Sequence, residues 1–129
     1  MAAVAGKIIA VGGRNGGDAD HVRGTATELY DPVSGEWQRC APLPVPRSGM
    51  GIASDDSSVI VLGGEGADGI FTAVNRYDVE TDTWSNLAEL PTGRHGTAAA
   101  IVDRTLYAIG GSTLAWNVRN IFGVDMLAI

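Results

Sequence analysis

Asp18, Asp20 and His21 stand within one short stretch and are residue types that ligate metal ions. No further ligand follows at a telling spacing, so a solvated loop is expected there and no metal. A second stretch, Ile8-Ile9-Ala10-Val11-Gly12-Gly13-Arg14-Asn15-Gly16-Gly17, runs an apolar segment into glycines as a phosphate cradle does. A dinucleotide site needs G-x-G-x-x-G at the opening of a helix. The residues that follow here are Gly- and Asp-rich and then β-like, so no nucleotide is expected. Cys40, the single cysteine, reads as a small packing residue that cannot form an internal disulfide, which suits a reducing compartment. The two histidines, His21 and His95, are far apart, and neither a Ser-His-Asp nor a Cys-His pairing is suggested locally. The expectation is a protein without catalysis, metal or cofactor.

The glycines belong to a larger pattern. The run before Gly12-Gly13 returns as Val59-Ile60-Val61-Leu62-Gly63-Gly64 and again as Leu106-Tyr107-Ala108-Ile109-Gly110-Gly111, at spacings of 51 and 47 residues. Each run is too short for a helix and rich in β-branched residues, so it predicts a buried strand. Paired glycines end a strand where a side chain would not fit or where φ must be positive. A period near fifty predicts a repeat architecture. With 18 glycines and 45% apolar residues in 129, an all-β domain is expected and a disordered chain is not. The net charge of −6, with Lys7 the sole lysine, argues against nucleic acid as a partner. No segment has the length of a membrane span, and no basic residue precedes the apolar patch at the start, so a soluble, cytoplasmic chain is expected.

Two copies of the repeat agree far beyond the glycines. The first supplies Tyr30, Asp31, Trp37, Ala41, Leu43, Pro44, Arg47 and Gly49; the second supplies Tyr77, Asp78, Trp84, Ala88, Leu90, Pro91, Arg94 and Gly96 at identical spacing. Four strands per repeat follow. A small-residue strand comes first, over Ser48–Ser54 and His95–Val102, and suits a crowded axis. The glycine-pair strand is second, the strand ending in Tyr-Asp is third, and the strand carrying Trp is fourth. Asp31 and Asp78 are placed to accept from turn amides. The paired Tyr and Trp are expected to pack one sheet on the next, with Trp84 the most buried tryptophan and Trp116 in a loop.

The register of glycine pair, Tyr-Asp-x5-Trp and Pro-x-x-Arg-x-Gly resembles the kelch repeat, over nearly the whole chain. The resemblance implies an all-β, incomplete kelch-type β-propeller of four-stranded antiparallel blades, with repeats over about 1–46, 47–93 and 94–129. In the third repeat the spacing from Gly111 places Val124-Asp125 at the Tyr-Asp position and Met126-Leu127-Ala128-Ile129 in the following turn. An open propeller of this length is expected to self-associate or to need further blades.

The wording Pro46-Arg47-Ser48-Gly49 looks most like the kelch domains of BTB-kelch adaptors for cullin-type ubiquitin ligases. That likeness implies a scaffold that binds a protein partner through one face, as a substrate adaptor. Carried over residue by residue, the face comprises Arg14, Glu65 and Ser112 after the glycine pairs, with Arg47, Ser48, Arg94 and His95 around the opening arginine. Arg47 and Arg94 have a structural alternative, pairing with a neighbouring blade's carboxylate or carbonyls. Three arginines on one rim would favour an acidic peptide. Galactose-oxidase-like copper enzymes share the fold but group tyrosine, histidine and cysteine on the axis, and no such group is evident here. The Glu-x3-Asp-x3-His iron motif of kelch specifier proteins is also absent. The alternative function is the propeller portion of an oxidoreductase or sugar-processing enzyme whose catalytic residues lie outside this chain.

Overall fold

The structure is a computed structural model that describes residues 1–14, 24–114 and 123–129. The first sheet orders β1 (Ala2–Val4), β2 (Lys7–Val11), β3 (Thr27–Asp31) and β4 (Glu36–Arg39), each antiparallel to its neighbour. The second repeats this with β5 (Gly51–Ser54), β6 (Ser58–Leu62), β9 (Val74–Asp78) and β10 (Thr83–Asn86). A small hairpin, β7 (Glu65–Gly66) and β8 (Gly69–Ile70), is inserted between β6 and β9. The third sheet holds β11 (Ala98–Val102), β12 (Thr105–Ile109) and β13 (Val124–Ala128). The chain is all-β and forms successive blades of an open propeller. Among the described residues no helix is long and apolar enough to cross a membrane.

The blades stack through two apolar layers. Val4, Ile9 and Leu29 of the first sheet meet Val59, Val61 and Tyr77 of the second. On the other side of the second sheet Ala53, Ile60, Leu62 and Val74 meet Leu106 and Ala108 of the third. Because β6 is covered on both faces, its side chains are buried throughout, which is why its sequence is a continuous apolar run rather than an alternation.

Tyr77 and Trp84 lie directly opposite each other on β9 and β10, with ring centroids 5.1 Å apart. Tyr77 is buried, while Trp84 is only half-buried: its Nε1 donates to the Ala41 carbonyl across the blade boundary at 2.8 Å. Tyr30 and Trp37 form the same pair on the first sheet, but there Trp37 is 56% exposed. Trp84 is thus the more buried of these two, and Trp116 lies outside the described residues.

The first strands begin later than the small-residue runs suggest, at Gly51 and Ala98 rather than Ser48 and His95. Gly49 and Gly96 have φ of +65° and +59°, which turns the chain before the strand can start.

The third sheet differs from the spacing-based expectation more deeply. Leu127, not Val124, stands opposite Leu106, as Tyr77 stands opposite Val59. Met126, Leu127 and Ala128 are therefore in strand β13 and not in a turn. Asp125 takes the place of Asn75, and the reason is Arg94: buried at the blade end, it requires an acceptor at that place, and Asp125 supplies it.

Candidate functional site: the glycine-pair rim

The glycine pairs end β2, β6 and β12, the first two of them where two blades come together. Gly12, Gly63 and Gly110 have φ of +62°, +62° and +65°; Gly13, Gly64 and Gly111 have +119°, +102° and +98°. A Cβ on Gly12 would lie 2.7 Å from the Arg47 carbonyl oxygen, and one on Gly63 would overlap the Arg94 carbonyl oxygen. The same carbonyls accept from the second glycine of each pair, Gly13 N at 3.3 Å and Gly64 N at 2.8 Å. The first two glycine pairs are thus clasped by the backbone of the arginine that opens the next blade, which accounts for the common register of Gly-Gly and Arg.

The side chains of those arginines turn inward. Arg47 is 2% exposed and Arg94 1%. Arg47 donates to the Asn75 side chain and, at 3.5 Å, to the Ala73 carbonyl, and it lies 5.8 Å over the Phe71 ring. Burial pulls its guanidinium down to about 10. Arg94 donates to Asp125 and to the carbonyls of Gly110 and Gly123, at 3.0 and 3.4 Å. Both pair with the third strand of their own blade rather than with a neighbouring blade. Neither guanidinium reaches the rim.

The remaining expected residues converge. Ser48 and Glu65 exchange both backbone hydrogen bonds, at 2.9 and 2.8 Å, and His95 and Ser112 do the same at 3.0 and 2.9 Å. Glu65 then joins three repeats: its Oε1 accepts from Arg14 Nη2 at 2.7 Å and its Oε2 lies 3.3 Å from His95 Nδ1. His95 Nε2 is 3.1 Å from the Leu114 carbonyl, and the Ser112 hydroxyl donates to that same carbonyl at 3.3 Å. Arg14 is the most exposed member of the trio, with 53% of its side chain open to solvent. The sequence reading missed the hairpin that projects from Glu65, with Ala67 and Asp68 exposed at its tip. Its signal was the glycine-bracketed Gly66-Ala67-Asp68-Gly69, in which a glycine closes the turn and takes a φ of +110° at Gly69.

The turn aspartates sit away from the rim. Asp31 accepts from Val33 N at 2.8 Å and Asp78 from Thr81 N at 2.8 Å, and these amides hold both carboxyls below their usual range. Asp82 accepts from Ala41 N at 2.7 Å and from the Tyr77 hydroxyl at 2.6 Å, tying the second blade to the first. Among the described residues no group of three or more His, Cys, Asp and Glu is arranged to hold a metal. Asp18, Asp20 and His21 lie outside those residues.

Comparison with known proteins gives the same picture. The chain is 34% identical to Kelch-like ECH-associated protein 1B of Danio rerio over 61 residues, 47% of this chain and 10% of that protein. It is 39% identical to Kelch-like protein 35 of Mus musculus over 72 residues, 56% of this chain and 12% of that protein. With Kelch-like protein 15 of Danio rerio it shares 49% over 39 residues, 30% of this chain and 6% of that protein. The aligned part of the chain thus spans about a tenth or less of each relative's length. The Kelch motif family matches residues 1–44 and 46–91, each match taking in one glycine pair and one Tyr-Trp pair, and the chain belongs to that family.

Proposed function

We propose that the chain is a protein-interaction module whose reading surface is the rim formed by Arg14, Ser48, Glu65, His95 and Ser112. The observation that carries this reading is a division of labour among equivalent positions. The opening arginines are identical and buried, whereas the residues after the glycine pairs are Arg14, Glu65 and Ser112, all different. A repeat protein keeps its scaffold constant and varies the residues that face a partner. The relatives named Kelch-like support a partner that is itself a protein, and a substrate-adaptor role in the cytoplasm is the finer form of this proposal.

The preference for an acidic peptide now rests on Arg14 alone, because Arg47 and Arg94 are spent inside their blades. A carboxylate of the partner would compete with Glu65 for Arg14, against a chain charge of −6. Screening a displayed peptide library against the chain tests this. Selected peptides should carry a carboxylate, and Arg14→Ala should weaken their binding by about tenfold to a hundredfold, the worth of one charged hydrogen bond. Arg39→Ala, on exposed β4, serves as the control. Peptides that bind Arg14→Ala as tightly as the parent would move the reading surface elsewhere.

A further inference from the structure

Both ring nitrogens of His95 face an acceptor. Nδ1 lies 3.3 Å from Glu65 Oε2, and Nε2 lies 3.1 Å from the Leu114 carbonyl oxygen. A neutral imidazole carries a single N–H, so it donates at one of these contacts and sets a lone pair against an oxygen at the other. The imidazolium alone donates at both. The groups around the ring come from all three blades. Glu65 faces it from β7, with Arg14 of the first blade on the other carboxylate oxygen at 2.7 Å. A Cβ at Gly49 would lie 3.9 Å from Nδ1, so backbone flanks the ring there. From the third blade come the Leu114 carbonyl and the Ser112 hydroxyl that donates to it at 3.3 Å. The neighbouring guanidinium groups are occupied elsewhere, Arg94 on Asp125 and Arg47 on Asn75. Among the described residues Glu65 is thus the charged group that meets the ring.

We infer that His95 is a proton-operated latch on the rim. As the imidazolium it ties Glu65, and through Glu65 the Arg14 guanidinium, to the connection that begins at Ser112. On losing a proton it keeps its N–H on Glu65, because a hydrogen bond to a carboxylate is roughly twice as strong as one to a neutral carbonyl. A lone pair then turns toward Leu114, whose carbonyl lets go and is still served by the Ser112 hydroxyl. Two properties of the rim change together: the position of Leu114, and the summed charge of Arg14, Glu65 and His95, which falls by one unit. Imidazole changes charge between about pH 5 and 8, and the latch works within that range. That it governs partner binding rests on the reading of the rim as the interaction surface; the latch itself does not.

The experiment follows the whole chain by NMR from about pH 5.5 to about pH 8, reading the ring nitrogens of His95 and the backbone carbonyl of Leu114. Both nitrogens should carry a proton at the acid end and Nδ1 alone at the alkaline end, and the Leu114 carbonyl should shift with the same midpoint as the ring. That response should persist in His21→Gln and vanish in His95→Gln. It should vanish in Glu65→Gln too, where the new amide donates to Nδ1 and the neutral ring keeps its proton on Nε2, toward Leu114. A Leu114 carbonyl indifferent to pH overturns the inference, as does a neutral parent ring protonated on Nε2, or a Leu114 response that survives in Glu65→Gln. Carboxylate peptides selected on the chain are then measured over the same range. The parent should bind them about threefold to tenfold more tightly at the acid end, the effect of one unit charge at contact distance in water, and His95→Gln should bind equally at both ends. Binding independent of pH in the parent overturns the latch's hold on the partner, whereas peptides indifferent to Arg14→Ala overturn the rim reading and leave the latch to be decided by Leu114.

Discussion

Gly63→Ala isolates the clasp between blades from the backbone strain that any left-handed residue carries. Gly63 and Gly35 have φ of +62° and +76°, so alanine at either position meets a similar penalty, about 1–2 kcal/mol. Part of it is offset in both by the reduced freedom of the unfolded chain, about 0.4–1 kcal/mol. The surroundings then separate them. A Cβ on Gly35 meets nothing within 4 Å, whereas one on Gly63 overlaps the Arg94 carbonyl oxygen and lies 3.4 Å from its carbon. Forcing that backbone away costs about 1–3 kcal/mol as overpacking. It also stretches the 2.8 Å bond from Gly64 N to the same carbonyl, worth about 0.5–1.5 kcal/mol. Gly63→Ala should therefore be less stable than Gly35→Ala by roughly 1.5–4.5 kcal/mol, a gap in urea midpoint of about 1 M or more. Equal midpoints at the same protein concentration would mean the glycine pair is present for its φ alone and the clasp contributes nothing.

The two buried arginines should respond unequally to truncation. Arg94→Met strands the Asp125 carboxylate and should cost about 3–5 kcal/mol, whereas Arg47→Met leaves a neutral Asn75 that still donates to Asn86 at 2.7 Å and should cost less; chemical denaturation of both variants decides it. For pH dependence, burial opposes ionisation of Asp55, but the amides of Ser57 and Ser58, the Ser58 hydroxyl and Arg76 outweigh it and hold the carboxyl at about 2. A depressed carboxyl stabilises the fold fully above its unfolded value of about 3.9 and loses that contribution as pH falls toward 2. The stability difference between parent and Asp55→Asn should accordingly shrink across that window, and a difference constant down to pH 2 would refute the assignment.

The strands were legible because their pattern is set locally. Apolar runs closed by glycine pairs mark β2, β6 and β12, and the fixed Tyr-to-Trp spacing puts the rings opposite each other across a turn organised by Asp31 or Asp78. The register of β13 was not legible from spacing. An aspartate at the right count from Gly111 imitates the turn aspartate, while the physical determinant is the acceptor that Arg94 needs once it is buried. Burial of the arginines likewise depends on the blade closing over them. The link from Arg14 through Glu65 to His95 joins residues of three repeats, and only the stacking of blades brings them within reach. The spacing did single out the rim positions, but it could not tell which of them face solvent.

The clasp also separates two things that usually change together, the length of a loop and the integrity of the fold. At one end of each connection between second and third strands stands a glycine pair, clasped in the first two blades; at the far end of the second and third stands the residue that receives a buried arginine. With its ends pinned, a connection can lengthen at little cost, since each doubling adds only about 0.6 kcal/mol of closure entropy. The connections from Arg14 to Ala26, from Glu65 to Ala73 and from Ser112 to Gly123 already differ in length and composition. New specificity can thus arise on this scaffold by insertion, a coarser and faster route than replacing side chains one at a time, and one that leaves the blades' packing untouched.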